Sequence, residues 1–226
     1  MYSGFLVVGA IAVALFGSVI ALAIWQAKKR RAFLQARAHA AGQLGWYLAA
    51  PNQWLSQVAA GIYQRGRPGE MFAGDFRGRG ICALDYTYTT TTSSGPDGQT
   101  TTTTHHVFVV ALNLPVALPP LQLTMDSKFR RIFGGQDIEL ESQAFNDAFR
   151  INCADQRYAS AVLHPRLMEW MLHNPGLEWQ FAGNAMVSWG VGLFTIPDVV
   201  ARLEAMTRVI DLVPPFVLRD YGQRTY

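Results

Sequence analysis

Charge is scarce in this chain. Asp, Glu, Lys and Arg make up 15% of its 226 residues, against about 25% in ordinary soluble domains. Half of the residues are hydrophobic. Such a composition buries a core and excludes intrinsic disorder. Cysteine is nearly absent. Two residues of that type, Cys82 and Cys153, exclude a disulfide-dense scaffold and a four-cysteine zinc site. The motifs that carry chemistry are missing too. There is no GxSxG, no P-loop, no GxGxxG and no HExxH. FRGRG (76–80) and IFGGQD (132–137) are glycine-containing turns without the flanking pattern of a phosphate cradle. His39, His164 and His173 have no metalloprotease spacing. His105 and His106 are adjacent, so on a strand they face opposite sides and do not share a metal. Motif and spacing thus assign no catalytic residue, no cofactor and no metal site.

Basic residues are also missing from most of the chain, although the net charge is +3. Lys28, Lys29, Arg30, Arg31 and Arg37 lie within ten residues, with no acid among them. Taking these five from the chain's 19 cations leaves 14 against 16 acids. A nucleic-acid-binding face needs basic residues spread over the folded domain, so no nucleic-acid partner is expected.

One long apolar run stands out. From Ser3 to Ala27 the chain reads SGFLVVGAIAVALFGSVIALAIWQA, without a charged side chain. About 20 such residues cross the hydrocarbon core as a helix, and Trp25 suits the interfacial belt. A cleaved signal peptide has its cations before the apolar run; here they follow it. The positive-inside rule then places the N-terminus outside and the C-terminal part in the cytoplasm, where both cysteines stay free thiols. Each is flanked by apolar or small residues and reads as core filler rather than a reactive group. The basic cluster sets topology and is a candidate contact for anionic lipid headgroups. The expected organisation is a transmembrane anchor over 1–27, a basic juxtamembrane helix over 28–43 and a cytoplasmic α+β domain over 44–226.

Ala, Gln, Arg and Leu continue the helix past the membrane until Gly42 and Gly45 stop it. GWYLAA reads as a short strand, QWLSQVAAGIY as a short helix or an irregular stretch, and Arg65–Gly69 as a loop. The middle of the chain is β. MFAGDFRGRGICALDYTYTTTT supplies one or two strands. Cys82, Leu84, Tyr86 and Tyr88 share one face, and Ile81, Ala83, Asp85 and Thr87 the other. SSGPDGQ is a turn. The threonine runs on its two sides pair in an antiparallel hairpin with a solvated tip, since threonine is β-branched and favours strands. LPVALPP is expected to break the return strand, with LQLTM as a new one.

In DIELES, Asp137, Glu139 and Glu141 alternate with Ile138 and Leu140. The pattern reads as an edge strand with its acids in water rather than a cation site, because hard cations draw ligands from several elements. Ser142 caps a helix whose Phe145 and Phe149 stack at i, i+4. FRINC is a strand, and Ala154–Leu163 a helix. Pro165 opens another helix, with Leu167, Trp170 and Met171 as its apolar stripe. LEWQFAG and NAMVSWGV read as two strands joined by a Gly183-Asn184 turn. Thr195 caps the last long helix, with Pro197 and Asp198 in its first turn. Its buried stripe is Val199, Val200, Leu203, Met206, Val209 and Ile210.

The block 137–172, DIELESQAFNDAFRINCADQRYASAVLHPRLMEWML, resembles the signature of a family of bacterial membrane-anchored proteins with actinobacterial members. That signature joins an acidic LE or LES strand to an F-x-x-x-F helix, a strand ending in a D-Q or D-x-R turn, and a VLHPRLME-like or ILTPALME-like helix. Here the parts are Leu140-Glu141, Phe145 and Phe149, Asp155-Gln156-Arg157, and Leu163 to Glu169. Upstream, FRGRG, DYTYTTTT and TTTTTHHVFVVALNLP are similar as well. The resemblance implies a membrane-anchored domain and carries no catalytic residue over to this chain.

These readings converge on an α+β chain: one N-terminal transmembrane helix, then an antiparallel meander of about seven or eight strands packed by helices. A partly closed barrel with a C-terminal capping helix is one arrangement consistent with this order. For function, the reading is a non-enzymatic binding or scaffolding module at the cytoplasmic membrane face, with membrane lipid and other membrane proteins as partners. The alternative is a membrane-anchored hydrolase or transferase whose residues are scattered in sequence, with His164, Asp155 or Cys153 as its candidates.

Overall fold

The structure is a computed structural model, and it describes residues 3–94, 99–125 and 140–223. It has two compact units, 1–44 and 45–226. The first is a single helix, α1 (Ser3–Gln43), continuous through the basic cluster. Lys29 lies over the Trp25 ring and Arg37 over the Phe33 ring, each at 5.4 Å, the i, i+4 spacing that brings side chains together on a helix. Gly45, at φ 75°, ends it, a left-handed position at which glycine costs nothing. Among the described residues no helix is long and apolar enough to cross a membrane. The side chains of 3–19, which carry most of the apolar run, lie outside that description.

The second unit is built on one antiparallel sheet. In chain order its elements are β1 (Tyr47–Ala49), α2 (Gln53–Ile62), β2 (Arg67–Phe76), β3 (Arg79–Ser94) and β4 (Gln99–Met125). Then come α3 (Gln143–Ala148), β5 (Phe149–Cys153), α4 (Gln156–Val162), α5 (Pro165–His173), β6 (Trp179–Val191), α6 (Ile196–Leu212) and α7 (Pro215–Asp220). The strand order is β1-β2-β3-β4-β5, with β6 also paired to β4. The undecided stretch at 53–62 is a helix, capped by the Asn52 side chain on the Leu55 N–H. Between β2 and β3 the chain turns on Arg77 and Gly78, both at positive φ. Such primed turns match the right-handed twist of hairpin strands.

Strand β4 organises everything else. Its first half pairs with β3 from Gln99 to Leu112, and its last residues pair with β5 from Leu121 to Met125. Along its other edge β6 runs from Val107 to Leu123. The expected break at LPVALPP does not occur. Between Asn113 and Leu121 the register slips instead, and β4 has more residues than β6 opposite. This bulge absorbs Pro115, Pro119 and Pro120, whose missing N–H groups would weaken a regular ladder. Ala117 recovers partners from the C-terminal end, exchanging two backbone hydrogen bonds with Gln223 at 2.9 Å. On β6 the same corner is Gly183, at φ 62°. LEWQFAG and NAMVSWGV are therefore one bent strand, not a hairpin. This merging, with that of LPVALPP, leaves six strands among the described residues where seven or eight were expected.

Smaller corrections are local. β2 begins at Arg67, inside the expected loop, with a register slip after Pro68. α3 stops at Ala148, so Phe149 opens β5 while its ring still lies 4.8 Å from that of Phe145. On α5, Met168 is buried and Trp170 only half-buried. Val200 of α6 is likewise half-buried. Asp137 and Glu139 lie outside the described residues, as does the SSGPDGQ turn between Ser94 and Gln99.

Helices cover both faces of the sheet. Leu55, Ala59 and Ile62 of α2 pack on Met71, Leu84, Tyr86, Val107, Val109 and Val187, with Cys82 and Tyr88 at the margin, the face expected from alternation. The opposite face buries Phe72, Ile81, Ala83, Phe108, Val110 and Leu112. There α6 lies over β4 and β6, and Phe194 meets Phe108 and Phe72 at ring distances of 5.7 and 6.2 Å. Thr195 and Asp198 form the expected capping box at its start.

Candidate functional site

Cys153, Asp155 and His164 could act together only if the fold gathered them. It divides them between two cavities. The first, about 340 Å³, lies where β4, β5 and β6 meet and is lined by Pro119, Gln122, Asn152, Cys153, Asp155 and Gln180, among others. Burial raises the Cys153 thiol above its ordinary range, and the thiol is held against the Asp155 carbonyl at 3.4 Å. Thiolate is the reactive form, so this environment disfavours the reactive state of Cys153. The Asp155 carboxylate caps α4, accepting from the Arg157 and Tyr158 N–H groups at 2.8 and 3.2 Å. Burial also raises the Tyr158 hydroxyl, which donates to the Pro119 carbonyl at 3.1 Å.

The second cavity, about 380 Å³, is lined by Leu140, Glu141, Gln156, Ser160, His164 and Met168, with Leu163 and Pro165. His164 Nε2 lies 2.8 Å from the Leu212 carbonyl, so this nitrogen carries the proton. The ring ties the start of α5 to the end of α6. The second cavity holds Ser160, His164 and Glu141, but among the described residues no hydrogen bond joins a nucleophile to a base in either cavity. Among the described residues no group of three His, Cys, Asp or Glu side chains is placed to hold a metal.

Histidines 105 and 106 face opposite sides, as alternation requires. His105 stacks on Tyr88 at 4.8 Å, and Tyr88 stacks on Tyr63 at 5.3 Å. Its Nε2 is 2.8 Å from the Thr90 hydroxyl. His106 Nδ1 is 3.3 Å from the Thr87 hydroxyl on the other face. Beyond them the threonine runs pair residue for residue, Thr89 with Thr104 through Thr92 with Thr101. Threonines 100 to 104 are exposed. The paired threonines form an exposed two-stranded arm. The basic cluster, Lys28, Lys29, Arg30 and Arg31 with Arg37, lies on α1 in the other unit. All but Arg37 are exposed.

One polar cluster escaped the sequence reading. Glu178, just before β6, accepts from the Trp189 indole N–H at 2.8 Å and from the Met125 backbone N–H at 3.0 Å. Its carbonyl accepts from Ser188 Oγ at 2.6 Å. The first residues of β6 therefore fold back on its later ones, and the curled sheet is fastened there. Arg202 of α6 reaches the same point, donating to Ser188 Oγ at 2.8 Å and lying over the Phe108 ring at 5.3 Å. Burial lowers the guanidinium's pKa, while Tyr63, Glu178 and Asp198 raise it. An arginine beside the apolar stripe of α6 was the only local signal. The fully engaged cluster is structural.

No family model matches the chain, and no curated protein matches it. Among solved structures it is similar to the crystal structure of the mycobacterial trehalose monomycolate transport factor A, TtfA, with a TM-score of 0.56. The match covers 80% of this chain and 96% of that one at 12% identity, a likeness of fold.

Proposed function

We propose that this chain is a single-pass membrane protein whose C-terminal unit is a docking module without catalytic chemistry, at the cytoplasmic face. One observation carries the non-catalytic half of the reading: each candidate reactive group is already engaged in holding the fold. Cys153 is buried against a carbonyl, Asp155 caps a helix, and His164 links two helices. A catalytic acid, base or nucleophile must instead reach a reacting atom. The apolar run 3–27 and the cations that follow it support the anchor and its orientation.

The exposed basic cluster makes anionic lipid one partner, and the threonine arm offers a surface for others. The similar solved structure is named for transport. That analogy of fold is compatible with a docking role and supplies no mechanism. On this reading the chain is grouped with the membrane-anchored family that residues 137–172 resemble. Fusion reporters test the placement. A C-terminal alkaline phosphatase should be inactive in cells and a C-terminal green fluorescent protein bright. The reverse pattern would put the second unit outside and refute the proposal.

A further inference from the structure

The threonine arm has two edges, and the structure treats them differently. Beyond Thr87, β3 has left β2; beyond Val107, β4 has left β6. From there outward the two strands pair only with each other. On the β3 edge, Gln64 Nε2 donates to the Thr89 carbonyl at 2.8 Å, and exposed Arg65 and Arg67 stand at its foot. Side-chain capping and charge are the usual protection of an edge strand. Among the described residues the β4 edge has neither. Residues 99 to 106 contain no charged residue and no proline. Beside them Val191 is 86% and Leu193 47% exposed. Gly192, at φ 89°, follows the last residue of β6, and among the described residues no strand pairs with this edge beyond it.

Backbone parity identifies the open groups. The His106 carbonyl accepts from the Gly192 N–H at 2.7 Å, so His106 points its backbone toward the β6 side. Antiparallel strands alternate. Thr104, Thr102 and Thr100 therefore direct their N–H and C=O groups outward. His105, Thr103 and Thr101 direct theirs toward β3. Thr91, paired with Thr102, points outward on the opposite edge by the same rule.

We infer that the β4 edge of the arm is a self-association surface, and that a second copy of this chain occupies it by antiparallel strand pairing about a two-fold axis at Thr102. The sequence at this edge is its own complement. Residues 100 to 104 are all threonine, so Thr100 meets Thr104 of the second copy and Thr102 meets Thr102. Every cross-strand pair repeats the threonine-on-threonine pairing that the arm already makes internally. Neutrality removes the like-charge repulsion that normally prevents such contacts. The three outward residues supply about six hydrogen bonds across the axis, and the product is a closed dimer rather than a filament.

The test uses the full chain in detergent micelles, with its mass measured by sedimentation over a concentration series. The wild type should dimerise. Thr102→Pro removes an outward N–H and no ladder bond, and because the contact is symmetric it acts twice. It should weaken dimerisation at least about tenfold. Thr91→Pro makes the same change on the protected edge and should leave dimerisation within about twofold of wild type. Independently, Thr102→Cys should form an intermolecular disulfide on mild oxidation in membranes, since hydrogen-bonded partners lie about 5.5 Å apart at Cα. Thr91→Cys and the parent chain should not. A monomeric wild type, a dimer unaffected by Thr102→Pro, equal effects of the two prolines, or capture of a different protein's strand by a monomer would each overturn the inference. If Thr102→Pro fails to fold, the cysteine pair decides: a crosslink at residue 102 alone sustains the dimer, and its absence refutes it.

Discussion

Replacing Phe108 by Ala tests where the core lies. The ring sits in mid-β4, 6% exposed, between the Phe194 ring at 5.7 Å and the Arg202 guanidinium at 5.3 Å. Deleting a buried phenyl group costs about 3–5 kcal/mol in lost transfer energy and cavity. The loss of the arginine contact, about 0.5–1 kcal/mol where exposed, lies within that range. A domain of this size has about 5–15 kcal/mol in all and loses about 2–4 °C per kcal/mol. The variant should therefore fold and melt roughly 10 °C lower. The contrast is the arm. Replacing Thr90–Thr103 by a four-residue turn removes exposed pairs and shortens a loop, so it should change stability by under about 1 kcal/mol. Both variants are measured by denaturant and thermal melts of the full chain in mild detergent, followed by the emission of buried Trp179 and Trp189. Dilute protein keeps self-association from contributing. If shortening the arm costs as much as Phe108→Ala, the threonines are part of the core. If Phe108→Ala costs under about 1 kcal/mol, the α6 face does not hold the fold.

Three further outcomes are expected. The Thr195 hydroxyl and backbone N–H lower the Asp198 carboxyl's pKa, so the stability it contributes is present above the unfolded value of about 4 and lost as pH falls through its folded one. Asp198→Asn should thus destabilise at neutral pH, with the difference fading in acid melts; a constant difference would contradict the cap. Cys153, with its raised thiol, should react with iodoacetamide much more slowly in the native chain than after unfolding, and rapid native labelling would restore it as a nucleophile. A peptide covering Gln26–Ala40 should bind anionic vesicles more tightly than neutral ones, at about 1 kcal/mol per cation. Replacing Lys28, Lys29, Arg30 and Arg31 by Gln should remove most of that preference, and an unchanged preference would leave the cluster a topology signal alone.

Local signals were legible in the sequence and distant ones were not. Thr195, Pro197 and Asp198 specify the start of α6 within four residues, and the threonine runs specify their own pairing across one turn. Alternation from Ile81 to Thr91 identified both faces of β3. Pro115, Pro119 and Pro120 misled because their effect depends on a partner. Opposite a shorter stretch of β6 they sit in a bulge, and Gln223 satisfies Ala117 from more than a hundred residues away. Gly183 misled for the same reason, since a positive φ serves a bend as readily as a hairpin. The Glu178 clasp exists only because the sheet curls. The separation of Cys153 from His164 depends on how α4 and α5 lie against the strands, which spacing along the chain does not encode.

The most direct measurement is native mass spectrometry of the full chain released from its own membranes. A docking module should emerge with stoichiometric protein partners, its own second copy included, and without a small-molecule adduct. Substituting Cys153 by Ala or His164 by Gln should leave that composition unchanged wherever the variant folds. A single tightly bound small molecule, lost on either substitution while the chain stays folded, would contradict the proposal and return those residues to an active site.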